Sequence, residues 1–238
     1  MSGPAHQAQT RRGYDAVAED YAALLPGLDA ETRLDVAMID DFTARCLAGP
    51  TGPVADVGCG AGRVSAYLSE RGLDVRGFDL SPGMIEVARR THPQVRFEVA
   101  AVQALPADDA SFDGLLAWYS LIHTPPSELD AALDELARVL RPGGLLLTAF
   151  QAGGGERLDR HSGYGHEVAF SSYRHDPDHL SALLTTSGFM IHARLLRSAE
   201  GQEKSPQAVV LAIRNRPRGA GDGDTQGPTS GPEATPSA

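Results

Sequence analysis

Residues 53–68, PVADVGCGAGRVSAYL, carry an apolar run into three glycines at alternate positions and then into an amphipathic segment. A buried strand, a turn stripped of side chains and a helix follow one another without a spacer. Missing Cβ atoms permit tight backbone angles and let a ligand approach the main chain at the helix N-terminus. The stretch therefore predicts a strand-turn-helix crossover of an α/β fold whose bare backbone either holds a ligand or serves only a tight turn.

The rest of the chain agrees with that class. Short apolar runs at 53–57, 74–78, 95–99, 113–118 and 144–150 read as buried strands. Helical spacing appears in Leu34, Met38, Phe42 and Cys46 behind an Asp29 N-cap. It appears again in Leu129, Leu133, Leu136 and Leu140, where Arg141–Gly144 ends the helix. The last two runs, FMIHARLL and AVVLAI, are separated by a segment with no helical pattern and read as an antiparallel hairpin closing the sheet. At 238 residues and 42% hydrophobic content the chain has material for one sizeable core. The expected layout is one domain over 7–214, with a disordered N-terminus at 1–6. A disordered tail is expected at 215–238, which is rich in Gly, Pro, Ser and Thr and lacks large apolar side chains.

A second strand ends at Asp79, 21 positions after Gly58. An acidic residue about 20 positions downstream, at the carboxyl end of the neighbouring strand, is placed to accept ribose hydroxyls. Asp79 could instead serve the following helix as an N-terminal acid. A dinucleotide fingerprint counted from Gly58 requires glycine at position 63, where this chain has Arg63. The pattern is Asp56-x-Gly58-x-Gly60-x-Gly62, and it resembles motif I of the class I S-adenosylmethionine-dependent methyltransferases. FDLSPGMIEVAR (78–89) resembles that family's second motif, and LPADDASFDGLLAWYSLIH (105–123) its LPF-D-SFD segment. LARVLRPGGLLLTAF (136–150) resembles its L-R-VL-PGG segment, and YDAVAEDYA (14–22) the lead-in helix of its UbiE-like small-molecule members.

That resemblance implies a Rossmann-like seven-stranded, mostly parallel sheet with helices on both faces and the last strand antiparallel. It implies S-adenosylmethionine as cofactor and S-adenosylhomocysteine as product. By the same resemblance, ribose meets Asp79, adenine packs near Leu80 and Met84, the amino acid end lies near Asp56, Gly58 and Tyr21, and Cys59, Gly60 and Gly62 are cofactor-binding residues of the same turn. The acidic residue that in the family bonds the adenine amino group corresponds to Ala101, so adenine recognition passes to Val102 and Gln103. From the residues alone, Asp56 either reaches the ligand or caps the turn. Tyr14 and Tyr21, at helical spacing with Val17 and Leu24, either cover the ligand or form a core stripe.

Methyl transfer from a sulfonium needs chiefly an acceptor held in line, with a general base where the acceptor is a hydroxyl. His123, just after the fourth strand at the carboxyl edge of the sheet, is the catalytic candidate. The alternative for it is a histidine donating to nearby backbone before Pro125. Of Trp118 and Tyr119, strand alternation sends one to the ligand side and one to the core. Tyr164, His166 and Tyr173 are substrate-wall candidates within a long loop at 151–175. No metal site is expected, since the histidines there lack helical pairing or a carboxylate cluster.

The formal charge of −10 argues against nucleic acid and acidic membrane surfaces, which both select cationic proteins. After strand four the chain also lacks the (D/N)-P-P-(Y/F) run of methylases acting on base amines. Two cysteines, Cys46 and Cys59, read as thiols, and no stretch approaches a signal sequence or a membrane span. The expectation is a soluble cytoplasmic enzyme, monomer or homodimer, that methylates a small molecule at oxygen, nitrogen, sulfur or carbon. Its alternatives are a binder or cyclase that uses the cofactor without consuming it and, less favoured, a nicotinamide oxidoreductase.

Overall fold

The computed structural model describes residues 4–50 and 52–216. Helices α1 (Pro4–Leu24) and α2 (Arg33–Ala48) lead into β1 (Val54–Val57), α3 (Arg63–Glu70), β2 (Val75–Asp79), α4 (Pro82–Thr91) and β3 (Arg96–Val99). Then come β4 (Phe112–Trp118), α5 (Leu129–Val139), β5 (Leu140–Gln151), β6 (Arg157–Arg160), β7 (Phe170–Tyr173), α6 (Pro177–Thr186), β8 (Phe189–Arg197) and β9 (Gln207–Arg214).

Seven strands form one sheet in the order β3-β2-β1-β4-β5-β9-β8, parallel except for β9, which runs against both its neighbours. Alternation along β4 explains the layering: Leu115 and Ala117 join the core beneath α5 and α6, while Leu116 and Trp118 join the opposite core beneath α2, α3 and α4. Leu133, Leu136 and Leu184 on one side and Phe42, Leu68 and Ile85 on the other are essentially inaccessible. Each such side chain contributes roughly 1.5–3 kcal/mol of burial. Strand order reverses between β1 and β4, where open α/β sheets form a crevice beyond the strand carboxyl ends. Helix α1 lies over that edge, its Val17 and Ala18 packed on Met84, Val87 and Phe170.

Several local expectations are corrected. The N-cap of α2 is Thr32, not Asp29: its hydroxyl accepts from Asp35 N while the Asp35 carboxylate accepts from Thr32 N. The buried stripe is accordingly Asp35, Ile39, Phe42, Thr43 and Cys46, and Leu34 is 50% exposed. Helix α5 stops at Val139, so Leu140 and the following Arg-Pro-Gly-Gly belong to β5. Residues 4–6 form the first turn of α1 instead of a disordered end, because the cavity wall gives His6 somewhere to bury. The 151–175 segment contains a two-stranded ribbon, β6 against β7. Leu24 is 65% exposed and leaves the α1 stripe. Of the expected tail, residues 217–238 lie outside the described residues. Cys46 and Cys59 are free and buried, and among the described residues no helix is long and apolar enough to cross a membrane.

Candidate active site

A cavity of about 300 Å³ opens at the crevice between the ends of β1, β2 and β4 and the overlying α1. Its floor is main chain. Gly58 holds φ +77° and donates to Phe78 O at 2.7 Å, and a Cβ on it would overlap the Ser120 side chain. Gly60 takes φ +54°, and a Cβ on it would meet the Tyr21 ring at an ordinary 3.6 Å. Gly58 is bare to admit the β4 turn, and Gly60 for its left-handed backbone at the cavity floor.

Asp79 stands beside this floor. Gly60 N donates to Oδ2 at 2.9 Å and Ser81 N to Oδ1 at 2.8 Å, leaving outward lone pairs on a carboxylate that cannot rotate away. Burial raises its pKa and the two amides pull it back. Ser81 also caps α4, accepting from Met84 N at 3.1 Å, and its hydroxyl donates to Asp15 Oδ1 at 2.7 Å. The same Asp15 oxygen accepts from Gly83 N at 2.9 Å, which fastens α1 to the start of α4. Arg63 is committed to Glu31 and to Gly27 O.

The opposite wall is built from side chains. His123 Nδ1 lies 2.9 Å from Ser171 O on β7; a carbonyl only accepts, so Nδ1 carries the proton. Nε2 is then the acceptor for the Tyr14 hydroxyl at 2.7 Å. Burial pushes the His123 pKa down to about 4 despite the Ser171 carbonyl, so the ring is neutral near pH 7 with both nitrogens engaged. His6 Nε2 donates to His123 O at 2.7 Å. Trp118 and Tyr119 both line the cavity, against the alternation expected of a strand. Tyr119 lies past the end of β4 with φ +55°, which turns its ring onto Trp118 edge-to-face at 5.7 Å.

Four buried polar atoms of lining residues have no hydrogen-bond partner among the described residues: Trp118 Nε1, Ser120 Oγ, Thr10 Oγ1 and His6 Nδ1. A buried polar group left unpaired costs about 1–3 kcal/mol, and folded proteins rarely tolerate four around one space. With the bare Gly60 floor and the fixed Asp79 carboxylate, they suit a large polar ligand carrying both hydroxyls and apolar rings.

Of the residues singled out from sequence, Tyr14, Tyr21, Gly58, Gly60, Asp79, Leu80, Met84, Val102, Gln103, Trp118, Tyr119, His123 and Tyr164 come together on this wall. The others do not. Asp56 lies below it, fully buried, accepting from Ser65 Oγ at 2.6 Å and pushed up to about pKa 6 by desolvation. The Cys59 sulfur faces Gly77, and Gly62 packs beneath Phe97. His166 points outward to Asp20 at 2.6 Å, and the Tyr173 ring backs onto His6 at 5.7 Å, behind the wall. Reasoning from sequence missed His6, Gln7, Thr10, Ser120 and Gln151. The i, i+4, i+8 spacing of His6, Thr10 and Tyr14 was the available signal, hidden by treating residues 1–6 as disordered. Among the described residues no group of His, Cys, Asp or Glu could hold a metal.

The family model described as a methyltransferase domain matches residues 54–144. A malonyl-[acyl-carrier protein] O-methyltransferase of Serratia marcescens is 31% identical over 201 residues, covering 78% of this chain and 77% of that protein. Among solved structures, magnesium protoporphyrin IX methyltransferase (ChlM) from Synechocystis PCC 6803 with bound S-adenosylmethionine superposes with a TM-score of 0.66 at 20% identity, covering 88% of this chain and 97% of that one. The [4+2]-cyclase SpnF does so at 0.67 and 19%, covering 90% and 98%. The chain belongs to the class I S-adenosylmethionine-dependent methyltransferases.

Proposed function

We propose that this methyltransferase acts on a small organic acceptor seated between α1, the turn after β4 and Gln151, with S-adenosylmethionine on the Gly58–Gly60 floor. One observation carries the reading: a carboxylate fixed by two amides stands at the edge of a cavity whose floor is glycine backbone. Asp79 takes the ribose hydroxyls, while Leu80, Met84, Val102 and Gln103 border the adenine. Tyr21, Gly58 and Gly60 meet the amino acid end. When bound, the sulfonium supplies an activated methyl group, and the protein supplies alignment and exclusion of water.

His123 acts as an orienter. Its ring holds the Tyr14 hydroxyl and its carbonyl holds His6, so it fixes two wall residues at once. Tyr164 stacks edge-to-face on Tyr21 at 5.1 Å and narrows the acceptor side. The malonyl-[acyl-carrier protein] and magnesium protoporphyrin IX named for the relatives share no scaffold and define no common acceptor. The net charge of −10 and the two free thiols support a cytoplasmic enzyme without a nucleic-acid substrate.

Calorimetry with S-adenosylhomocysteine tests the reading. The wild-type protein should bind it, and Asp79→Ala should weaken binding by roughly 10- to 100-fold, since a charged acceptor is worth about 1.5–3 kcal/mol. Equal affinity in the variant, or binding of reduced nicotinamide dinucleotide in its place, would remove the cofactor site. Release of S-adenosylhomocysteine only when an acceptor is supplied separates transfer from a non-consuming use of the cofactor.

A further inference from the structure

Two of the unpartnered atoms lie one turn apart on the same face of α1. His6 is 1% exposed and Thr10 5% exposed, and both line the cavity. The His6 tautomer follows from its partner: His123 O can only accept, so Nε2 carries the proton and Nδ1 is left with a buried lone pair and no donor. A helical threonine ordinarily returns its hydroxyl to the carbonyl four residues back. Thr43, Thr185 and Thr186 do this here, and Thr10 does not. The pair therefore offers one acceptor and one hydroxyl of either polarity to the same ligand group.

Arg63 pairs with Glu31, and Arg11 is half exposed with Nε 3.7 Å from Asp15. A carboxylate brought to His6 Nδ1 would set its own lone pairs against a lone pair, whereas a hydroxyl satisfies both atoms. His123 has both nitrogens engaged, Nε2 by the Tyr14 hydroxyl and Nδ1 by Ser171 O, and so has no lone pair to offer an acceptor.

We propose that His6 and Thr10 form the acceptor subsite, that the acceptor presents a hydroxyl group, and that His6 is the catalytic base. This rests on the methyltransferase reading above. The acceptor hydroxyl donates to His6 Nδ1 and accepts from Thr10 Oγ1. As the acceptor oxygen bonds to the methyl carbon, the carbon–sulfur bond breaks, its electron pair stays on sulfur and the hydroxyl proton passes to Nδ1. The products are a methyl ether, S-adenosylhomocysteine and an imidazolium that returns its proton to solvent.

Full-length protein labelled with ¹⁵N-histidine and saturated with S-adenosylhomocysteine provides the test, with phenol and benzoate as matched probes. The His6 Nδ1 resonance should move with phenol and stay with benzoate. His6→Gln keeps an amide donor for His123 O, so it preserves the seat of α1 while deleting the base. It should bind S-adenosylhomocysteine within about twofold of wild type, and its rate of anisole formation from phenol and S-adenosylmethionine should fall by ~10²–10⁴-fold. Thr10→Val should weaken phenol binding. A resonance that ignores phenol or follows benzoate overturns the proposal, as does anisole formation that is absent in wild type or undiminished in His6→Gln. Failure of wild-type protein to bind S-adenosylhomocysteine would instead strike the cofactor site.

Discussion

The two halves of the cavity are made differently. On the side of the glycine floor the polar contacts are local: Asp79 is held by amides 19 and 2 positions away, both in turns that follow adjacent strands. On the opposite wall Tyr14 reaches His123 across 109 positions, His6 reaches it across 117, and His123 reaches Ser171 across 48. The first half comes with the crossover geometry of the sheet and suits a ligand common to many enzymes. The second exists only after a helix and a ribbon from opposite ends of the chain have docked, so it can change without disturbing the first.

Gly58→Ala breaks the glycine-floor half with the largest expected effect. Positive φ and overlap with Ser120 act together, at a cost of about 2–4 kcal/mol in stability with loss of S-adenosylhomocysteine binding. Denaturant melts should show it, and a Ser120→Gly partner change should recover the packing share but not the backbone strain. Asp15→Ala sharpens the contrast from the other side. It removes the bond to Ser81 and Gly83 and should cost about 1 kcal/mol, as cap losses do. Limited proteolysis should then cut α1 earlier while cofactor affinity changes less than threefold; equal loss of both would mean the halves are not separable.

The smallest effect is a pair of opposed pH slopes. The folded-state pKa of His123, about 4, lies below its unfolded value, so the unfolded chain binds the extra proton and stability falls as pH drops from about 6.5 to 4. The Asp56 pKa, about 6, lies above its unfolded value, so the native state binds the proton and stability rises as pH drops from about 6 to 4. Chemical melts of His123→Gln should lose the first slope and those of Asp56→Asn the second. A variant that keeps the wild-type slope would show that its residue is not the source.

Legibility in the sequence followed the same division. The glycine turn, Asp79, the strand runs and the closing hairpin could be read because strand periodicity and turn chemistry are local properties. Asp56 was misplaced because spacing from a glycine does not reveal that Ser65, one helical turn into α3, faces it. His166 and Tyr173 were sound guesses by residue type, but ribbon pairing sends one to Asp20 and the other behind His6. His6 was lost because an end rich in small polar residues looks disordered until a partner surface is known.

Ser81 touches both halves at once. Its amide holds the Asp79 carboxylate at the cavity edge, and its hydroxyl holds α1 through Asp15. The carboxylate beside the glycine floor and the helix above the cavity are thus fastened to the same serine, the first through its main chain and the second through its side chain.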